Sequence, residues 1–301
     1  MAIEYKKISS LEMVAEDANS DIPADNNYEF NSYLAYEIDV KNLITGELAD
    51  VSNEAKMWAA DSCPEEFYIN HGSYIQGGMK HIINELKNKP SSNRALFSLI
   101  SQDHILNSGD KPIPSFMLLQ TGIEDNILYC TTYFRVIEIS VFLRINLEEI
   151  RQKLVEIYNS LLNFRIVRLV IFSFRAYKNN SISPLRKPKI DLLTSIRIYK
   201  LLHNNPASLG DLLREKAKGS TVIDTRSLKD LKEALLEDEK EDENKQYNID
   251  YVKNLLDSAI EKSEKLKELR KLHSHHESVL EITNCLSTIL TDIAGEFDKC
   301  H

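Results

Sequence analysis

Cysteine is scarce and scattered: Cys63, Cys130, Cys285 and Cys300 lie far apart and form no Cys-x-x-Cys pair. Neither a disulfide framework nor a compact zinc site is signalled, and reduced thiols are the expectation. No stretch approaches 18 uninterrupted apolar residues, and the amino terminus, MAIEYKKISS, has no apolar run of signal-peptide length. A membrane span is therefore not expected and a cytoplasmic location is. Basic residues do not dominate, since the net charge is -9 over 301 residues. A broad basic face, and with it duplex DNA as a partner, is not expected. No Gly-x-Ser-x-Gly elbow occurs, so Ser115 with Asp103 and His104 upstream is not read as a triad. His273, His275, His276 and Cys285 have metal-ligand chemistry but no ligand-pair spacing that zinc sites use, so they read as histidines at a capped turn.

The hydrophobic fraction, 43%, is that of an acidic globular protein with a sizeable core. From Trp58 to about Tyr177 the chain is rich in β-type runs and poor in charge blocks. Gly77 and Gly78 open a segment in which Met79, Ile82, Ile83 and Leu86 recur at helical spacing, closed by Asn88-Lys-Pro90. Strands are predicted over Ala95–Ile100, Ser115–Thr121 and Ile127–Val136, with Gly122–Asn126 as the reversal between the last two. Phe142–Leu161 reads as a helix carrying Leu147, Ile150, Leu154, Ile157 and Leu161 on one side, and Arg165–Tyr177 as a long buried strand. This order gives an α+β class, a mixed sheet with covering helices.

After the prolines at Ser183-Pro184 and Lys187-Pro188 the composition turns to helix formers and charge. The acidic run Glu237–Glu243 reads as a solvated linker or frayed helix end. Val252, Leu255, Leu256, Ala259, Ile260, Leu266 and Leu269 mark a long amphipathic helix. Ser274-His-His-Glu277 has the form of a capping box, opening a helix with Val279, Leu280, Ile282, Leu286, Ile289, Ile293 and Phe297. The expected organisation is a domain over 1–204 and a helical C-terminal extension over 205–301, folded as a helical hairpin. Such a hairpin must dock on the body, pair with a copy of itself or bind a protein partner.

Five segments, in order, resemble the thymidylate synthase and dCMP hydroxymethylase superfamily. His71-Gly72 with Gly77-Gly-Met-Lys-His is similar to its Tyr-Gly turn and the following helix. Pro90-Ser-Ser-Asn93-Arg94 resembles Pro-x-Ser-Arg-Arg. Pro112-Ile-Pro114-Ser115-Phe116 through Gln120 resembles the Pro-Pro-Cys-His segment. Cys130-Thr-Thr-Tyr133-Phe134-Arg135 resembles the strand ending in Gln-Arg-Ser, with Asn146 at the place of the base-reading asparagine. Ser173-Phe-Arg175-Ala-Tyr177 is similar to Asp-Ala-His-x-Tyr. The match spans 58 to about 180, leaving out the amino-terminal 57 residues and the tail.

The resemblance implies a thymidylate-synthase-like fold, a homodimer that shares arginines across its interface, and a pyrimidine-nucleotide site. Arg94, Arg135, Asn146, Arg175, Tyr177 and Glu138 stand at its ligand-binding positions. Glu138 replaces the family's aspartate and Arg175 a sugar-contacting histidine. The retained asparagine leans toward uracil.

The departures bear on chemistry. Ser115 stands at the nucleophile position, and Phe116 replaces the histidine after it. A thiol is partly ionised at neutral pH, whereas an alcohol needs an adjacent base, and none is signalled. Cys130 lies mid-strand and is no substitute. No arginine precedes Arg94, so the family's loop arginine is missing, and Asn93 replaces one of the partner pair. Two lost cations cost a phosphate site about 1.5–3 kcal/mol each. Lys6 or Lys7 offers compensation only as a point charge. Bulky residues at Ile139–Arg144 are set to fill the pocket, and no carboxy-terminal lid is matched.

The reading that follows is a catalytically inactive, thymidylate-synthase-like nucleotide-binding or assembly module. It needs no cofactor or metal and carries a helical tail for association with a protein partner. The alternatives are an active C5-modifying enzyme with altered chemistry and a nucleotide sensor. Without the resemblance, Arg94 and Arg135 suit structural ion pairs as well as an anion, and Asn146 and Tyr177 read as cap and core residues.

Overall fold

The computed structural model describes residues 3–22, 28–65, 67–161, 164–179, 188–218, 223–241, 247–273 and 276–299. In chain order the elements are β1 (Lys6–Ile8), α1 (Glu12–Asp21), β2 (Tyr28–Asp39), α2 (Val40–Thr45), α3 (Ser52–Ala59), α4 (Gly72–Ile75), α5 (Gly78–Asn88) and β3 (Leu96–Ser98). They continue with α6 (Gln102–Asn107), β4 (Phe116–Glu124), β5 (Ile127–Phe134), β6 (Ile137–Glu138), α7 (Phe142–Leu161) and β7 (Ile166–Tyr177). A 3-10 turn at Lys189–Leu192 precedes α8 (Ser195–Asn204), α9 (Pro206–Ala217), α10 (Arg226–Glu241), α11 (Ile249–Leu272) and α12 (Glu277–Phe297). The fold is mixed α+β, as the sequence predicts. Two compact units divide the chain. The first joins Met1–Pro64, Ile69–Ser108 and Ile113–Ile182, and the second joins Glu65–Tyr68, Gly109–Pro112 and Ser183–His301.

In the first unit seven strands form one mixed sheet in the order β1-β2-β7-β5-β4-β3, with β6 beside β7. β5 and β7 are parallel because the chain between them returns through α7, the crossover a parallel pair requires. β4 and β5 form a hairpin whose turn is shorter than the sequence reading placed it. Gly122 pairs with Tyr129 within the ladder, and the reversal is made by Asp125 and Asn126 at φ 51° and 64°. Asp and Asn reach the left-handed region by bonding locally, which suits a two-residue primed turn without glycine.

The strands alternate between a core side and an open side. Ile38, Leu169, Cys130 and Leu119 are buried on one side, where α7 also buries Leu147, Ile150, Leu154 and Ile157. On the other, the register aligns Tyr33, Phe172, Tyr133 and Leu118 across four strands. There Tyr33 is 57% exposed and Phe172 and Tyr133 are each 38% exposed.

The second unit begins ahead of residue 205 and has a core of its own. α11 and α12 follow one another as a hairpin, and much of its apolar face is covered within the unit, while Leu280 stays 63% exposed. Val252, Leu256, Ile293 and Phe297 share a core with Ile198, Leu213 and Leu231 from α8, α9 and α10. The capping box expected at Ser274 lies outside the described residues; His276 precedes α12, and its Nδ1 accepts from the Ser278 N–H at 3.2 Å. α10 carries the acidic run as helix as far as Glu241. No helix among the described residues is long and apolar enough to cross a membrane.

Candidate functional site

The topology gathers most of the predicted site residues at one end of the sheet. Ser115 leads into β4 and Arg135 follows β5, and the Arg135 N–H donates to the Ser115 carbonyl at 3.0 Å. Glu138 pairs with Tyr177 across β6 and β7, and the Ile139 N–H returns to the Tyr177 carbonyl at 2.9 Å. Asn146 follows in the second turn of α7. These residues, with Arg175, stand at the carboxyl ends of the parallel pair β5 and β7, where open sheets with helical crossovers bind ligands. Arg94 is not among them. It precedes β3, whose Leu96 pairs with Gln120, five residues along β4 from Ser115 and about 17 Å away at the strand rise.

Each side chain has a definable state. The Glu138 carboxylate is already engaged, accepting from the N–H groups of Ser140 (2.7 Å), Val141 (2.8 Å), Phe142 (3.1 Å) and Asn179 (3.2 Å). It therefore holds the first turn of α7 and the end of β7 in place and has little capacity left for a ligand. Arg135 is also partly used, since its Nε donates to the Pro114 carbonyl at 3.2 Å and its Nη2 to that of Ile113 at 2.9 Å. It thereby fixes the segment that presents Ser115. The Arg175 guanidinium lies over the rings of Tyr28, at 4.4 Å, and Phe30, at 5.3 Å, and has no ion-pair partner among the described residues. Tyr177 is half-buried, and its hydroxyl pKa is raised by burial, then by the neighbouring Glu138 and Tyr28. Asn146 is 8% exposed, and its amide makes no side-chain hydrogen bond among the described residues.

Among the described residues no base is placed on Ser115. No hydrogen bond to its hydroxyl is formed among the described residues, and His104 is turned to its own helix, its Nδ1 accepting from the Ser101 N–H. Cys130 is 1% exposed and burial pushes its thiol up to about 12, the state of an inert core cysteine. Lys6 is paired with Asp17 at 2.7 Å, and the exposed Lys7 lies 3.9 Å from Glu37, which Arg168 already bonds at 2.8 Å. Among the described residues no group of three His, Cys, Asp or Glu is placed to hold a metal.

One cluster carries no assignment from the sequence. His71 Nδ1 meets Glu149 Oε2 at 2.6 Å, and Lys153 Nζ lies 3.0 Å from Glu149 Oε1. Glu149 is fully buried and His71 is 5% exposed. The imidazole is wedged against Trp58 and Phe116, at ring distances of 4.7 and 5.6 Å. Gly72 makes this placement possible, because a Cβ there would come within 2.3 Å of the Ala59 and Ala60 carbonyls. His71 belongs to a quoted motif, but Glu149 gives no sign in sequence, since its partner is 78 residues away.

Burial alone would raise the Glu149 pKa; the charges of His71 and Lys153 and their hydrogen bonds overcome it and hold the group at about 2, below its ordinary 4.5. A depressed folded-state pKa stabilises above the unfolded value and is lost as pH falls through the folded one. The chain should accordingly lose up to about 3 kcal/mol between pH 4.5 and 2 through this group. Urea midpoints of wild type and Glu149→Gln across that window test it: equal pH slopes would refute the assignment.

The chain matches no protein-family model and no curated protein.

Proposed function

We propose that this chain is a thymidylate-synthase-like module without the family's nucleophile, which binds a pyrimidine nucleotide and pairs with a second copy of itself. The observation that carries the reading is the convergence of Ser115, Arg135, Asn146, Arg175 and Tyr177 at the carboxyl ends of β5 and β7. They come from three of the five segments, which sequence distance alone does not bring together. Among the described residues, this end of the sheet has in Arg175 a cation without an ion pair, in Asn146 an amide without a side-chain hydrogen bond, and the adjoining rings of Tyr28 and Tyr177. Among the described residues no group there is set to add to a pyrimidine, because no base meets the Ser115 hydroxyl and burial raises the Cys130 thiol pKa to about 12. Binding without methyl transfer is the function this combination supports.

Pairing is supported by the open sheet face. A contiguous aromatic row on a sheet is unusual for a monomer, and a second copy laid on it would bury Tyr33, Phe172 and Tyr133. The family supplies the arginine at Arg94 across its dimer, which accords with the distance of Arg94 from the other site residues of the same chain.

Calorimetry with dUMP, with dCMP, dTMP and inorganic phosphate as controls, tests the nucleotide reading. Saturable binding of dUMP is expected, weakened at least about tenfold by Arg175→Ala, the loss of one charged contact. Absence of heat with every nucleotide refutes it. Sedimentation should give a dimer that Phe172→Glu converts to a monomer of unchanged circular dichroism. A wild-type monomer refutes the pairing.

A further inference from the structure

We infer that the cleft between α11 and α12 binds a short aliphatic carboxylate, held at its head by Arg270, Ser263 and Ser287 and along its chain by Leu266, Leu286 and Leu290. The cleft lies within the second unit, and the inference is independent of the nucleotide reading.

The hairpin core is interrupted where the cleft opens. Along α11 the buried positions Val252, Leu256, Ala259, Ser263 and Leu266 recur at helical spacing, and all but Ser263 are apolar. On α12 the buried side chains begin at Leu290, whereas Thr283, Leu286 and Ser287 are only partly buried. A leucine at position 263 would continue the packing. A serine there, with Thr283 and Ser287 lining the same cleft, leaves space that protein cores ordinarily fill. The cleft measures about 420 Å³, the space at its mouth included. Ser263 is 1% exposed, and its hydroxyl has no hydrogen-bond partner among the described residues. A buried hydroxyl left in that state is costly unless something meets it. The Ser287 hydroxyl also makes no hydrogen bond among the described residues.

The charges at the cleft select the ligand. Lys216 lines it, but its ammonium is spent on both Asp191 oxygens and the Asp224 carbonyl. The positive charge comes from Arg270, whose fork of five N–H donors can serve more than one neighbour. Ser263, Leu266 and Arg270 follow at i, i+3 and i+7 on one side of α11 and all line the cleft. Helical side chains lean toward the amino terminus, so Arg270 reaches back over the turn of Leu266 toward Ser263. Burial lowers the Arg270 pKa, with the neighbouring Tyr68 opposing it, so this cation is partly stripped of water and gains from an anionic group. An oxyanion accepts from the guanidinium and from both serine hydroxyls. Asp224, whose carboxylate accepts from the Arg226 N–H at 2.8 Å, also lines the cleft and would repel a dianion. That favours a monocarboxylate over a phosphate, and the leucine walls suit an alkyl chain rather than a sugar.

Butyrate titrated into the 15N-labelled full chain tests this, with butan-1-ol and butylammonium as controls. Amides of Ser263 to Arg270 and Thr283 to Leu290 should shift saturably with butyrate, at least about tenfold more tightly than with either control, the worth of one charged hydrogen bond. Arg270→Gln should weaken butyrate about tenfold and leave butan-1-ol unchanged. Ser263→Leu should abolish the shifts with the circular dichroism kept; Ser287→Leu closes the same cleft from α12 if the core variant does not fold. Equal binding of butyrate and butan-1-ol, or butyrate binding that Arg270→Gln leaves intact, overturns the carboxylate inference. Absence of saturable shifts at these amides, or shifts that survive the leucine variants, overturns the site itself.

Discussion

Replacing Arg151 by methionine is expected to cost the first unit about 3–5 kcal/mol, the range for stranding one member of a buried ion pair. Its partner Glu148 is fully buried in the middle of α7. Arg151 donates to both carboxylate oxygens, Nε and Nη2 each at 2.7 Å. The Leu48 N–H and Gln152 Nε2 complete the shell at 3.0 Å each. The same guanidinium reaches the Leu43 and Ile44 carbonyls through Nη1 at 3.3 and 3.1 Å, tying the end of α2 to α7. Burial pushes the Glu148 pKa up, but the bonds from Arg151, Leu48 and Gln152 outweigh it and the net shift is downward. Without Arg151 that balance reverses, and the carboxyl must take up a proton or remain an uncompensated charge. The double substitution Glu148→Met with Arg151→Met should recover much of the loss, because buried ion pairs are roughly interchangeable with apolar residues of similar volume. Urea unfolding of the three variants decides it. A single-variant loss below about 1 kcal/mol would mean that Glu148 is solvated, contrary to its position.

The same stretch of α7 marks where the sequence stops being legible. Leu147, Ile150, Leu154 and Ile157 recur at helical spacing, and the helix was readable to the residue at both ends. Nothing in that spacing says that Glu148, Glu149, Arg151 and Lys153 are buried as well. Their burial depends on Leu48, Leu43, Ile44 and His71, which lie 78 to 108 residues away. Periodicity sees one element at a time, whereas a buried charge is a property of two. β5 and β7 were legible because both are continuous β-type runs. β2 was not, because its alternation of Leu34, Tyr36 and Ile38 with Ala35 and Glu37 lies outside every matched motif. The Gly122 misreading followed from treating glycine as a turn residue where it only thins a strand. The motifs predicted Arg94, Arg135, Glu138, Asn146, Arg175 and Tyr177 around Ser115, and the fold brings all of them but Arg94 to one end of the sheet. They did not reveal that Glu138 spends its carboxylate on four backbone N–H groups.

In the second unit the corresponding experiment is Lys216→Met, with an expected cost of about 3–5 kcal/mol at neutral pH. Asp191 is fully buried and takes the Lys216 Nζ on both oxygens, at 2.7 and 2.6 Å, together with the Ser227 hydroxyl. Lys216 also donates to the Asp224 carbonyl at 2.8 Å, so one ammonium joins the 3-10 turn, α9 and the approach to α10. Burial raises the Asp191 pKa and the attraction of Lys216 only partly offsets it. Removing the lysine leaves burial unopposed and drives the group further toward its neutral form. A pKa raised on folding contributes stability below the unfolded value, and that stability is lost as pH rises through the folded one. The variant should therefore be least damaged near pH 4, where Asp191 enters the core protonated, and most damaged at pH 7. Hydrogen exchange locates the damage: amides of α9 to α12 should lose protection at pH 7 and regain most of it near pH 4. A loss independent of pH would mean that the stranded carboxylate is not its cause.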